Sequence, residues 1–287
     1  MARNGLRAVL AACGAVLALG GCASMVSNAT AGLGRNLTAG ILNQDDPATV
    51  AEGLPAYLLL LDGLIEGDPR NPDLLLAASR LYGAYAGGFV EDEARRRALA
   101  GKSLGYARRA SCVLDAELCA ALDADFARYD AVVATLDDED LAHAYPLAAA
   151  WAGVIQSDAG SLDRVAELPK VETLIGRVVA LDRGHDHGTA LMYLGVMSSL
   201  RPESLGGRPE AGRVAFEEAI ERSGGNNQMA RVLYAEYYAR LVFDRALHDR
   251  LLGEALAADP KVPGLTLVNV LAQRRARALL ESGKDYF

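Results

Sequence analysis

From Asp46 onward, apolar residues recur at three- and four-residue spacing, and no alternation of apolar and polar positions survives beyond three or four residues. That pattern predicts helices and no sheet. Asp46-Pro47 opens a helix that carries Tyr57, Leu58, Leu61, Leu64 and Ile65 and stops near Gly67. Asn71-Pro72 then caps and opens a second, through Leu75, Leu76, Leu81 and Tyr85, so the two make a helical hairpin. The spacing predicts further helices over 91–111, 115–134, 138–157, 161–182 with a break at Pro169, 186–200, 208–223, 227–243, 244–258 and 264–282. Gly206-Gly207 and Gly224-Gly225 read as turns and C-caps between them. The expected fold is all-α, built from antiparallel helical hairpins.

A repeat is visible inside these helices. Gly212, Phe216 and Ala219, with Gly224 five residues on, have the order of a tetratricopeptide unit: small residue, large apolar residue, small residue, breaker. His248, Leu252, Ala255 and Pro260 repeat it 36 residues later, Val171, Ile175 and Val178 precede it by 41 and end at Arg183, and Leu61, Leu64 and Pro69 make a weaker copy. In a stacked array the small residue lets two helices approach, the large one fills the gap, and the breaker ends the helix. The positions therefore predict a degenerate tetratricopeptide-like superhelix with a concave face; the plainer alternative is an irregular helical bundle.

The first 22 residues differ from the rest. Arg3 and Arg7 precede an apolar stretch from Ala8 to Leu19, and small residues lead to Cys22, the order of a secretory signal. Leu19-Gly20-Gly21-Cys22 resembles the bacterial lipobox, which makes Cys22 a lipidation site: several acyl chains on one residue, at about 0.8 kcal/mol per buried methylene, hold a domain at a bilayer. Ala23 follows in place of an Asp that resembles an inner-membrane retention signal, which favours the outer membrane. The expected organisation is a lipoprotein signal peptide over 1–21, a lipidated tether or weak helix over 22–45 and an all-helical domain over 46–287. No later apolar stretch reads as a membrane span of the roughly 20 residues required, which excludes a polytopic membrane protein.

Net charge is −8, with 29 basic against 37 acidic residues, so a general nucleic-acid or anionic-membrane binder is disfavoured. His185-Asp186-His187, preceded by Asp182, is the densest group of metal-ligand types, but it lies at a turn where capping explains it, and no metal site or cofactor is assigned. His143 and His248 have no Ser or Cys partner at motif spacing, and no nucleophile elbow, phosphate loop or zinc-protease motif occurs, so no enzyme is read. Cys112 and Cys119 are seven apart. On one straight helix they would lie about 10.5 Å apart, but a chain turn near Leu114 or Asp115 makes a disulfide feasible in an oxidising periplasm; two buried thiols are the alternative. Tyr82, Tyr85, Tyr193, Tyr234, Tyr237 and Tyr238 supply most of the aromatic surface and read first as inter-helix packing, second as the lining of a pocket or oligomer face. Gln273-Arg274-Arg275-Ala276-Arg277 forms a basic helical turn, read as salt-bridged or partner-facing.

Four segments carry a family resemblance. Residues 204–260 (SLGGRPEAGRVAFEEAIERSGGNNQMARVLYAEYYARLVFDRALHDRLLGEALAADP) and 263–287 (PGLTLVNVLAQRRARALLESGKDYF) resemble the TatT lipoproteins associated with TRAP transporters. Residues 54–92 and 167–196 are similar to them too. The resemblance implies a lipid-tethered, tetratricopeptide-like homotrimer facing the periplasm. Its implied partner is the periplasmic solute-binding protein of a TRAP-type, tripartite ATP-independent transporter, and its implied role is uptake of a small ligand, hydrophobic ones included. It gives no catalytic motif and no ligand-binding residues to map. The alternative is an outer-membrane tetratricopeptide adaptor that binds peptides or envelope proteins without a transport role.

Overall fold

Asp46 leaves helical backbone and accepts the N–H groups of Ala48 and Thr49 on its carboxylate, while Pro47 takes the first helical position; together they start α1, Pro47–Gly67. A computed structural model describes residue 36 and residues 38–287 of this chain. The signal segment predicted over 1–21, the predicted lipidation site Cys22 and the predicted tether up to residue 35 lie outside the described residues.

Side-chain caps fix the next four helix starts. Asn71 and Pro72 open α2, Pro72–Phe89; Asp92 opens α3, Glu93–Leu114; Asp115 opens α4, Ala116–Ala121; and Asp125 opens α5, Phe126–Val133. Each such cap is worth about 1 kcal/mol. The sequence pattern predicts one helix over 115–134, and here the structure differs. Asp123 and Asp125 sit in a turn, and the Lys170 ammonium donates to the carbonyls of Leu122 and Ala124, satisfying acceptors that a continuous helix would have used.

After a 3₁₀ turn at Asp138–Asp140 come α6 (Leu141–Ser157), the short α7 (Leu162–Ala166) and α8 (Leu168–Leu181), with Pro169 in the first turn of α8, where it marks the predicted break. Next are α9 (His185–Ser198), α10 (Pro209–Arg222) and α11 (Gln228–Leu233). The predicted helix over 227–243 continues instead as a π turn, Tyr234–Ala239, where Arg240 N–H reaches back five residues to the Ala235 carbonyl. The chain ends with α12 (Arg245–Ala257) and α13 (Thr266–Tyr286). The described residues are all-α, with no strand among them.

Two apolar cores form. One gathers Val50, Leu54, Leu58, Leu61 and Ile65 of α1 with Leu75, Leu81, Tyr82 and Tyr85 of α2 and Tyr106 of α3. The larger one starts on the other side of α3, at Leu104 and Ala107, and runs through α4–α13. By length and composition α1 is long and apolar enough to span a membrane, which corrects the expectation that no later stretch is. One side of it, at spacings of three and four residues, is buried against α2, while Tyr57, Leu59 and Leu60 on the rest are exposed. The last helix returns to this first hairpin: Leu267 enters its core, and Gly264 N–H donates to the Asn43 carboxamide at 2.7 Å.

The repeat positions carry packing. Val171, Ile175, Val178, Phe216, Ala219, His248, Leu252 and Ala255 are all fully buried, whereas Leu64 of the weaker copy is partly exposed. At the crossing of α9 and α10 a Cβ on Gly195 would stand 2.8 Å from the Phe216 ring, and one on Gly212 would stand 2.9 Å from the Gly195 carbonyl. The two glycines therefore set how closely these helices approach. Phe216→Ala is expected to lower stability by about 3–5 kcal/mol, whereas Val214→Ala, on the exposed side of the same helix, leaves it nearly unchanged; urea unfolding followed by circular dichroism measures both. Equal effects would put the helix in the wrong register.

Candidate functional site

A surface groove of about 430 Å³ opens beside the π turn. Tyr238, Leu241 and Val242 form one side, Pro202, Glu203 and Ser204 come from the loop before α10, and Pro209 and Glu210 from its first turn. A π turn inserts one residue per turn relative to an α-helix and is concentrated at functional sites. Here it continues a run of rings outward from the core: Phe216 stacks on Tyr234 with centroids 5.3 Å apart, and Tyr234 meets Tyr238 at 5.4 Å. The Tyr234 hydroxyl donates to Glu217, and burial followed by that carboxylate raises its pKa. Burial, then Glu210, raises Tyr238 as well. Both phenols are thus neutral hydrogen-bonding groups at physiological pH. Glu210 is held as a carboxylate by its hydrogen bond from Arg213. The groove offers aromatic and aliphatic surface rimmed by acid, a lining suited to a partly apolar ligand or partner segment. Leu205 and Phe243, at 66% and 64% exposure, extend the apolar surface beside it in sequence.

Other tyrosines of the sequence reading are packing groups with anchored hydroxyls. Asp62 of α1 accepts from Tyr82 of α2 at 2.7 Å, from Tyr106 of α3 at 2.6 Å, and from the Lys102 ammonium. Lys102 also lies 4.7 Å from the centre of the Tyr82 ring. Partial burial alone would raise the Asp62 carboxyl, but the hydrogen bonds from Lys102, Tyr106 and Tyr82 outweigh it and hold the group below the usual carboxylate range. Burial and then Asp62 push Tyr106 up to about 12. This one carboxylate therefore ties together the three helices of the first core. Tyr85 accepts from the Arg95 guanidinium, and Tyr193 packs against the larger core.

The His185-Asp186-His187 group does not converge. Asp182 accepts the Gly184 N–H and stands 3.4 Å from His185, while Asp186 points elsewhere and accepts the Tyr145 hydroxyl of α6 at 2.8 Å. Asp186, His187 and Gly188 occupy three successive left-handed conformations, φ 49°, 56° and 75°. A Cβ on Gly188 would stand 2.7 Å from the Ala219 carbonyl, so that position requires glycine for space as well as for φ. Asn227 reaches the His187 carbonyl from the other side. The turn is structural, and Asp186, read as a capping residue, bonds to a tyrosine instead.

Cys112 and Cys119 bracket the α3–α4 corner, their Cα atoms 4.6 Å apart and their sulfurs facing each other at bonding distance. The basic turn is largely neutralised at Arg275, which pairs with Glu236 at 2.7 Å, while Gln273 donates to the Ala255 and Ala258 carbonyls. His248 is fully buried between Asp249 and Phe287. His143 is buried too, and its Nε2 has no hydrogen-bond partner, a state that ordinarily costs about 1–3 kcal/mol. Asp140, three residues before it, and Asp115 of a separate segment stand beside it, and the second neighbour is one that spacing along the chain does not reveal.

Known proteins add an identity to this geometry. The family model described as the TRAP transporter T-component matches residues 43–287 of the chain. An uncharacterized protein of Treponema pallidum (strain Nichols) is 29% identical over 269 residues, spanning 85% of this chain and 81% of the relative.

Asp62→Asn is expected to destabilise the protein at pH 7 by about 1 kcal/mol or more. Because the folded Asp62 pKa lies below its unfolded value, the contribution is fully present above an unfolded pKa of about 3.9 and is lost as pH falls through the folded one. The wild-type and Asp62→Asn curves of unfolding free energy against pH therefore converge in acid; a constant gap down to the acid limit contradicts this role.

Proposed function

Because the chain belongs to the TRAP transporter T-component family, we propose that it is a lipid-anchored envelope protein that binds a TRAP-type periplasmic solute-binding protein and assists uptake of a small ligand. The observation that carries this reading is the family match, which extends over the whole helical domain. The groove beside the π turn is the surface through which partner or ligand engages, since it joins aromatic and aliphatic side chains to an acidic rim. In this reading the chain is non-enzymatic and works as a homo-oligomer, a trimer by resemblance, in the degenerate tetratricopeptide-like arrangement that the repeat positions suggest.

Cys22 carries the anchor in this proposal, with residues 22–45 as the tether from the periplasmic face of the outer membrane. Cys112 and Cys119 form a disulfide there, favoured by an oxidising compartment and by Cα atoms already 4.6 Å apart. Mass spectrometry of the chain extracted from membranes is expected to find an acylated Cys22 at its amino terminus, and a linked pair of peptides carrying Cys112 and Cys119 before reduction. An unmodified residue upstream of Cys22 removes the anchor from the account, and free thiols at both positions remove the bridge.

Crosslinking and purification through a carboxy-terminal tag, from solubilised native membranes, tests the central association. Recovery of a TRAP-type solute-binding protein together with a small molecule is the expected result. Recovery of envelope-assembly proteins alone would favour the adaptor that lacks a transport role.

A further inference from the structure

Two segments of the chain, at Asp115 and at Asp140–His143, meet where α4 and α6 begin. Asp115 caps α4 with Oδ1, which accepts the N–H groups of Glu117 and Leu118, both at 2.9 Å, and its Oδ2 takes no part in the cap. Asp140 uses Oδ2 for the Asp137 N–H at 2.9 Å, and its Oδ1 stands 3.9 Å from Nε2 of His143. One ligand atom each from Asp115, Asp140 and His143 lies within 4.8 Å of the others. His143 is only 3% exposed, and the nitrogen it aims into this group has no hydrogen-bond partner.

The arrangement differs from an ordinary acidic cap cluster in two respects. Each carboxylate is already held by the backbone through one oxygen, which leaves its other oxygen available to a ligand. Among the described residues, neither Asp115 nor Asp140 has a Lys or Arg partner; the one basic side chain near their charges is the buried imidazole. Two fixed carboxylate oxygens and an unpartnered imidazole nitrogen are a donor set that a divalent cation completes.

We infer that Asp115, Asp140 and His143 form a divalent-cation site, suited to zinc or an ion of similar preference. Nitrogen with carboxylate oxygen is the donor mix of zinc and its first-row neighbours, whereas calcium and magnesium take oxygen ligands throughout. Tetrahedral zinc bonds of about 2.0–2.2 Å require the three atoms to draw closer than they stand here, which small side-chain rotations supply. Three protein ligands leave a fourth position for water. The ion would pin the α3–α4 corner, bracketed by Cys112 and Cys119, to the start of α6.

The test uses the full chain in detergent, without a histidine tag and stripped by a chelator, titrated with Zn²⁺ and separately with Co²⁺. One Zn²⁺ retained per chain, a raised Tm and visible Co²⁺ ligand-field bands are expected. His143→Leu fills the buried seat with an apolar side chain and keeps the helical circular dichroism, but loses the bands and the Tm shift, with affinity reduced at least about tenfold. Asp140→Asn, which keeps an acceptor for the Asp137 N–H, does the same. His185→Gln, at the partly exposed pair with Asp182, changes neither readout. Failure to retain any stoichiometric ion overturns the inference, as do bands that persist in His143→Leu and Asp140→Asn, or bands lost only in His185→Gln.

Discussion

Phe216 lies against Gly195, and the absence of a side chain there is what lets α9 and α10 cross so closely. Gly212 faces the Gly195 carbonyl under the same restriction. A methyl group at either position would force the helices apart, and protein interiors have little slack to absorb that. From this crossing, order passes in two directions. Toward the amino-terminal end of α9, Gly188 rests on the Ala219 carbonyl, which places Asp186 against Tyr145 of α6. Toward the surface, Phe216 stacks on Tyr234, Tyr234 on Tyr238, and Tyr238 becomes a wall of the groove. The groove is thus an extension of the core, with a rigid aromatic side.

The first hairpin and α3 rely on a different device. Their core contains three tyrosines, and two of these, with Lys102, converge on Asp62. A partly buried carboxylate is tolerated because three donors surround it. The same logic of satisfied polar ends recurs wherever Lys170 closes the end of α4 and Asn43 meets Gly264 near the start of α13. Such contacts connect parts of the chain that apolar periodicity treats as separate.

Helix positions were legible in the sequence where the start signals are strong: Asp46-Pro47 and Asn71-Pro72 cap the helices that they predict. Where spacing misled, a local or distant polar group intervened. The predicted helix over 115–134 breaks because Lys170, some 46 residues away, takes the carbonyls of the turn. The π turn at Tyr234–Ala239 has the same apolar spacing as an α-helix over so short a run, so no pattern distinguishes it. The dense His185-Asp186-His187 group was visible and proved dispersed, since left-handed backbone at 186–188 sends neighbouring side chains in different directions. Asp115, Asp140 and His143 were each ordinary in sequence, and only packing brings Asp115 to the neighbouring pair Asp140 and His143. The family resemblance was carried by long continuous segments, which is why it was readable without any three-dimensional grouping.

In the proposed role, this T-component engages a TRAP-type solute-binding partner through the groove that the aromatic run supports. Hydrogen–deuterium exchange of the chain alone and in complex with the purified solute-binding protein tests it most directly. Protection on binding is expected in two stretches, 202–210 and 238–242, with the first hairpin unchanged. Protection confined to α1 and α2, leaving both stretches at their free rates, would contradict the claim.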